Sequence, residues 1–563
     1  MLLLLLTGAL GLASRLIFIN FPEAISFEEA SRGYLAKSIA LLGKDDHNLK
    51  FPLLFRSVGN YPLALPIYST VPFIQIFGLN NLGARTPGVF FGSLTVPIFF
   101  LLSSLLCSRL PFLSKKEKTI LPFWATLYLC FSPWHVFISR NNLPLTESLF
   151  FSLTALLLLL RSQITKKTIP FVLSVIFLSF ALLSSYYSWF PLFLFSMTFL
   201  WLGRAKPRRL FFLLIPFLII GLLVTVNQEY RLFLRNNFID KEPFILWDIG
   251  PRRSYDVEIG WRVLARPLHN KLSFFFEHLG KKYTRYYDWE LLASPSIAGF
   301  TEHLKRLPKI FFWEIPLFFF GIWWFLKKGS RTKEIVLILI IMPFETLFWR
   351  KDFLKNEMLF FLPVFIFFLT LGLVKLAEKI RWSRLLLILI IPGLTILYSL
   401  GILAVIKTYL ADDTWSESRN EAYFWLFKKL NKIENNYSAI VITDLLGQPP
   451  AFALFYQDFP PEKYLTTKKE IGLDQDYLTK IVSYDKFQFS SLRGIEDKLP
   501  GVLYIGLREE FVDKDNPAEI ASFQPLVKES FTFSQDNPKQ DNTLWFYSPP
   551  YKPSSEKDDK PKN

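Results

Sequence analysis

Residues 385–407, LLLILIIPGLTILYSLGILAVIK, run for 23 positions with a single charge, on the last of them. A helix needs about 20 apolar residues to cross the hydrocarbon core, so this stretch reads as a membrane span. Similar runs recur at 3–20, 84–107, 119–138, 143–160, 169–183, 187–202, 210–226, 309–326, 335–350 and 357–374. These are too many to bury inside one soluble domain. The sequence therefore predicts a polytopic α-helical membrane protein with about 11 transmembrane helices.

The connectors support this threading. With residue 1 inside, the segments 109–118, 161–168, 203–209, 327–334 and 375–384 face the cytoplasm, and they hold 4, 3, 4, 4 and 4 Lys/Arg. All five follow the positive-inside bias, which places residues 21–83, 227–308 and 411–563 outside. The expected location is the plasma (inner) membrane, multi-pass, with these loops and the C-terminal domain extracytoplasmic. The leucine-rich first span has no basic n-region, and its sequence continues through Phe21-Pro22-Glu23 without a small-residue cleavage site, so it is expected to remain as an anchor.

Composition narrows the function classes. Of 563 residues, 51% are hydrophobic, and 60 Phe, 22 Tyr and 15 Trp suit a helical body with aromatic interfaces. The net charge of +16 sits where membrane orientation places it, which argues against a nucleic-acid partner. Cys107 and Cys130 both lie in apolar runs, so no disulfide framework or thiolate metal cage is expected. No Walker motif, dinucleotide-binding glycine pattern or HExxH occurs in a credible context.

The predicted domains are a membrane domain over 1–410 with outer loops 21–83 and 227–308, an α/β domain over 411–550, and a disordered tail over 551–563. SAIVITD, AFALFYQ, GVLYIGL and NTLWFYS read as short strands of the α/β domain. In the first outer loop, residues 28–42 read as an amphipathic helix lying on the membrane, with Tyr34, Ile39 and Leu42 on its apolar side and Arg32 and Lys37 available to phosphates. Pro52, Pro62, Pro66 and Pro72 then predict a fixed loop rather than a long helix.

Chemistry concentrates in a few places. Glu28 and Glu29 form an acid pair about 100° apart on a helix, so one can accept a proton while the other binds a partner; the plain alternative is favourable charge at a helix N-terminus. Asp45, Asp46 and His47 can hold a divalent cation or an acceptor, and are equally ordinary turn chemistry. In FSPWHVFISRNN, residues 131–142, Trp134, His135 and Arg140 reach the outer end of the third span, where Arg140 suits a lipid phosphate and the other two suit structure or lipid contact. Glu147, on the returning span, is expected to pair with an arginine. In the second outer loop Arg252, Arg253 and Arg262 are candidate phosphate ligands amid aromatics that interface anchoring explains as well.

Three stretches in order, ISFEEASRGYLAKSIALLGKDDH (25–47), FPLLFRSVGNYPLALPIYSTVPFIQIFGLNNLGARTPGVFFGSLTVP (51–97) and FSPWHVFISRNNLPLTES (131–148), resemble the protein mannosyltransferase and aminoarabinose transferase family, membrane glycosyltransferases of the C-type fold (family 39-like). The resemblance implies transfer of a sugar, a hexose, from a polyprenyl-phosphate donor to a glycan, lipid or protein acceptor on the outer side. In that family the first-loop acid pair usually begins with aspartate and supplies the catalytic carboxylate; Glu28 stands at that position and Glu29 follows it. A family lysine in the loop's return is missing from GNYPLALPIY (59–68), so Lys50, Arg56 or Arg140 would have to substitute or the donor is held differently. Arg140, with Arg85 or an arginine from 252–262, is expected to offset the charge growing on the phosphate. The resemblance leaves a divalent cation, Mg or Mn, as an expectation for Asp46 and His47. A lipid or solute transporter is the rival class; no related halves appear in the sequence to support it.

Overall fold

A computed structural model describes residues 2–237 with short interruptions, 314–328, 357–379 and most of 421–511, with strands at 531–532 and 543–547 and isolated residues between 254 and 310. The expected spans at 335–350 and 385–407, together with Arg252, Arg253, Arg262 and the tail 551–563, lie outside the described residues. The chain divides into two compact units. One comprises Met1–Ile19, Leu63–Pro66 and Arg85–Thr408; the other comprises Asn20–Pro62, Ile67–Ala84 and Tyr409–Asn563. The first outer loop, grouped with the membrane domain by sequence, thus shares a unit with the C-terminal segment.

Helices follow the apolar runs in the first unit: α1 (Leu2–Leu16), and later α4 (Asn81–Arg109), α5 (Glu117–Phe131), α6 (Pro133–Arg140), α7 (Pro144–Thr165), α8 (Thr168–Ser184), α9 (Trp189–Leu202), α10 (Pro207–Val226), α11 (Gln228–Asn237), α12 (Glu314–Lys328) and α13 (Phe361–Lys379). Among the described residues, three helices are long and apolar enough to cross a membrane, and up to five spans result if each of two bent pairs counts as one. One bend, of 51°, separates α5 from α6 at Ser132. Its cause is Pro133, which supplies no N–H to continue the α5 ladder and opens α6 at its favoured first position.

Backbone proximity holds α12 against α13. A Cβ built on Gly321 would run into the Phe368 carbonyl, and one on Gly372 into that of Leu317. Small residues at a helix crossing permit this close packing where lipid supplies no hydrophobic drive. Lys375 of α13, itself buried, pairs with buried Glu117 at the start of α5 and with Glu378, and lies 5.6 Å from the Trp324 ring centroid.

The second unit assembles α2 (Phe27–Leu42), most of α3 (Ala64–Phe77), α14 (Glu421–Ile433), α15 (Pro449–Tyr456), α16 (Pro461–Thr467) and a seven-stranded sheet. Its strands are β1 (Ala439–Ile442), β2 (Lys469–Ile471), β3 (Lys480–Tyr484), β4 (Phe487–Phe489), β5 (Val502–Leu507), β6 (Phe531–Thr532) and β7 (Thr543–Tyr547), in the order β2-β3-β4-β1-β5-β7-β6. β4, β1 and β5 are parallel, and the flanking pairs are antiparallel. Glu510 ties their ends together: it accepts from Thr443 Oγ1 at 3.0 Å, Leu492 N at 2.9 Å and Leu507 N at 2.9 Å.

Three local expectations need correction. AFALFYQ falls largely in α15, not in a strand; Pro449 and Pro450 open the helix, and residues 449–455 are all buried, so the apolar run has no two-residue alternation. Residues 64–77 form α3 despite its prolines, because Pro66 occupies a first turn whose N–H groups need no intrahelical acceptor and Pro72 costs a single ladder bond. Finally, α2 is no membrane-surface helix: Tyr34 and Ile39 are buried, and Tyr34 meets Tyr464 edge-on at 5.8 Å. Lys37 donates to Asp458 at 2.7 Å, and Arg32 is buried as well.

Candidate functional site

The start of α2 separates the two glutamates. Ser26 caps the helix, its Oγ accepting from Glu29 N at 3.2 Å while Glu29 Oε2 accepts from Ser26 N at 2.8 Å. This reciprocal capping box occupies Glu29, which is 1% exposed. Glu28 lies in the same first turn, is exposed, and makes no hydrogen bond or ion pair among the described residues. At the other end Gly43 adopts φ +65°, the left-handed cap that glycine reaches without steric cost, and turns the chain toward the acidic cluster.

In that cluster Asp45 Oδ1 accepts from His47 N at 2.9 Å and Leu49 N at 2.8 Å. Burial and the neighbouring Asp46 push the Asp45 carboxyl above its usual range, against those two N–H bonds. Asp46 Oδ1 accepts from His47 Nδ1 at 2.9 Å, and its Oδ2 accepts from Ser57 Oγ at 3.0 Å. His47 Nδ1 also reaches the Arg56 carbonyl at 3.0 Å, and Nε2 donates to Glu470 at 3.2 Å. Burial lowers the His47 pKa, yet the bonds to Asp46 and Glu470 outweigh it and raise it to about 9. Glu470, which also binds Lys468, is held at about 2: burial raises it, and the His47 and Lys468 bonds more than reverse that.

Asp45, Asp46 and His47 each offer a ligand atom within 4.8 Å of the others, so the group can hold a divalent ion. Asp45 Oδ2, buried and without a hydrogen-bond partner, fits that use. Both nitrogens of His47 are engaged in the ion-free arrangement, so an ion would have to displace a proton and its contacts.

The helical body positions the other candidates. Arg85 is 1% exposed and donates to the Ile19 carbonyl at 3.0 Å. Arg140 ends α6 and is buried, as are Trp134, His135 and Glu147. Lys50 is exposed and shares an isolated backbone bridge with Lys44, and Arg56 contributes its carbonyl to His47. The structure gathers Asp45, Asp46, His47 and Arg56, and leaves Glu28 apart from Glu29 in hydrogen bonding.

Sequence reasoning missed Arg15. It is wholly buried in α1 and bonded to His135 Nδ1 at 2.5 Å. An arginine inside a leucine run is itself the missed signal. Ser26, three residues before Glu29, was a legible capping box as well.

No family model matches the chain, and neither does any curated protein. Among solved structures, the archaeal oligosaccharyltransferase AglB of Archaeoglobus fulgidus, in complex with an inhibitory peptide and a dolichol-phosphate, is similar at 14% identity and TM-score 0.45 over 81% of this chain. The chain spans 63% of that protein's length. ArnT of Cupriavidus metallidurans in the apo state matches 96% of this chain and 97% of its own at 10% identity and TM-score 0.39. The Archaeoglobus fulgidus enzyme in complex with Zn and sulfate gives 12% identity and TM-score 0.41, over 81% of this chain and 61% of its own. Likeness this low assigns neither family nor activity.

Proposed function

We propose that this chain is a membrane glycosyltransferase that moves a sugar, a hexose, from a polyprenyl-phosphate donor to a glycan, lipid or protein acceptor on the extracytoplasmic side. The observation that carries this reading is the division of labour in α2: Glu29 is committed to the capping box while Glu28 keeps an exposed carboxylate with no described partner. A general base needs that availability.

Glu28 takes the proton of the acceptor hydroxyl as the acceptor oxygen bonds to the anomeric carbon. The bond from that carbon to the phosphate oxygen breaks, and the polyprenyl phosphate leaves with the electron pair. Attack opposite the leaving group inverts the anomeric centre. Phosphate leaves without general-acid help, and Arg140 and Arg85 offset its negative charge, with Lys50, Arg56, Arg252, Arg253 and Arg262 as further contacts. A divalent cation, Mg or Mn, would add positive charge for a phosphate or acceptor, held by Asp45, Asp46 and His47.

Purified Glu28→Gln tests the assignment with a polyprenyl-phosphate hexose, reading released polyprenyl phosphate and the mass gained by the acceptor. Turnover should fall by a factor on the order of 10² to 10⁴. Wild-type-like turnover in that variant removes Glu28 from the chemistry.

A further inference from the structure

Arg15 sits in the last turn of α1, 0% exposed, and the described residues give it no carboxylate partner. Its Nη1 donates to the Gly11 carbonyl at 2.7 Å, Ser14 Oγ at 2.9 Å and the Cys130 carbonyl at 3.4 Å. Ser14 Oγ approaches the same Cys130 carbonyl at 3.4 Å. Nη2 meets His135 Nδ1. Since guanidinium has no acceptor, His135 accepts there and carries its proton on Nε2.

These contacts straddle the 51° bend. Cys130 lies at the end of α5, and its carbonyl would ordinarily accept from the N–H four residues on, a bond interrupted by the Ser132-Pro133 break. His135 belongs to the first turn of α6. One guanidinium therefore holds the freed carbonyl of one helix and the side chain of the next. Two other contacts seat α6: Ser132 Oγ accepts from His135 N, and Ser139 packs where a Cβ on Gly92 would collide with it. Arg140 is the final residue of this eight-residue helix.

We propose that Arg15 is a positioning residue: by bridging both sides of the α5–α6 break it fixes the direction in which α6 presents Arg140. The link from Arg140 to donor phosphate rests on the glycosyltransferase reading; the clamp itself does not. A buried cation on a membrane helix calls for a function, and a planar five-donor group is suited to serve two acceptors at once.

Cys130 is a native reporter. In full-length protein carrying Cys107→Ala it is the remaining thiol, and it is buried. With Arg15 present, N-ethylmaleimide should label it slowly; Arg15→Met should speed labelling about tenfold or more, and Arg15→Lys, able to serve one side of the break, should fall between. In the same variants donor KM should rise about fivefold or more with kcat within about twofold, the split expected of lost substrate positioning. His135→Phe removes half of the bridge and should also speed labelling, and it decides the question if Arg15→Met does not accumulate. Unchanged labelling overturns the clamp, and faster labelling with unchanged donor KM overturns the step to Arg140. Absence of turnover in the wild type sinks the glycosyltransferase reading instead, and the labelling comparison then judges Arg15 alone.

Discussion

His47 and Arg15 are both buried or nearly so, one in each compact unit, and they are satisfied by different chemistry. His47 donates to Asp46 and Glu470, with Lys468 completing an alternation of sign. Arg15 meets carbonyls, a hydroxyl and an imidazole. The first arrangement suits a polar turn, where acids are abundant and water is near. The second suits the α5–α6 junction, where a proline break already leaves a carbonyl without its ladder bond.

The comparison is tested most severely at α2, where two adjacent acids are assigned opposite roles. Glu28→Gln should lower kcat by a factor on the order of 10² to 10⁴ with little loss of stability. Glu29→Gln keeps a capping acceptor and should leave turnover within about tenfold while costing on the order of 1 kcal/mol. Turnover assays and thermal unfolding on the two proteins check this, and equal kinetic loss would erase the distinction.

In the helical body the corresponding vulnerability is packing. Gly372→Val should destabilise α12 against α13 by roughly 1–3 kcal/mol, since the added atoms meet backbone rather than a movable side chain. Detergent-solubilised thermal unfolding reads the loss. A neutral result would mean that the glycine crossing contributes little.

A smaller effect is expected from pH in chelator-treated protein. The His47 pKa is raised to about 9, so its stabilising contribution is complete below about 6.5 and fades as pH climbs through 9. Glu470 is lowered to about 2, so its contribution is complete above about 4.5 and fades as pH falls toward 2. Thermal unfolding of the wild type should therefore weaken between pH 6.5 and 9 more than that of His47→Gln. Parallel profiles would mean that the two carboxylates do not hold the ring. Ser26→Ala should have the smallest effect, about 1 kcal/mol, read by the same melt.

Sequence patterning located the helices well where a run had clear edges. The expected span 84–107 became Asn81–Arg109, and the interruption foreseen at Ser184 to Tyr187 separates α8 from α9. It failed at 64–77 and 451–457, where prolines and unbroken apolar runs are compatible with more than one backbone. The site was legible as residue types and not as roles. Glu28 and Glu29 look equivalent until Ser26 selects one, and the Arg15 bond spans 120 positions that no local pattern connects.

The placement of α2 has a consequence for biosynthesis. Ile25 N donates to Tyr456 Oη across 431 positions, and Tyr34 packs with Tyr464 in the same core. At about 5–20 residues per second, a ribosome needs roughly 20–90 s to deliver that partner after residue 25 is made. During that interval the aromatic flank of an early segment stays uncovered, so nascent chains stalled before residue 421 should be captured by chaperones or proteases more readily than full-length ones.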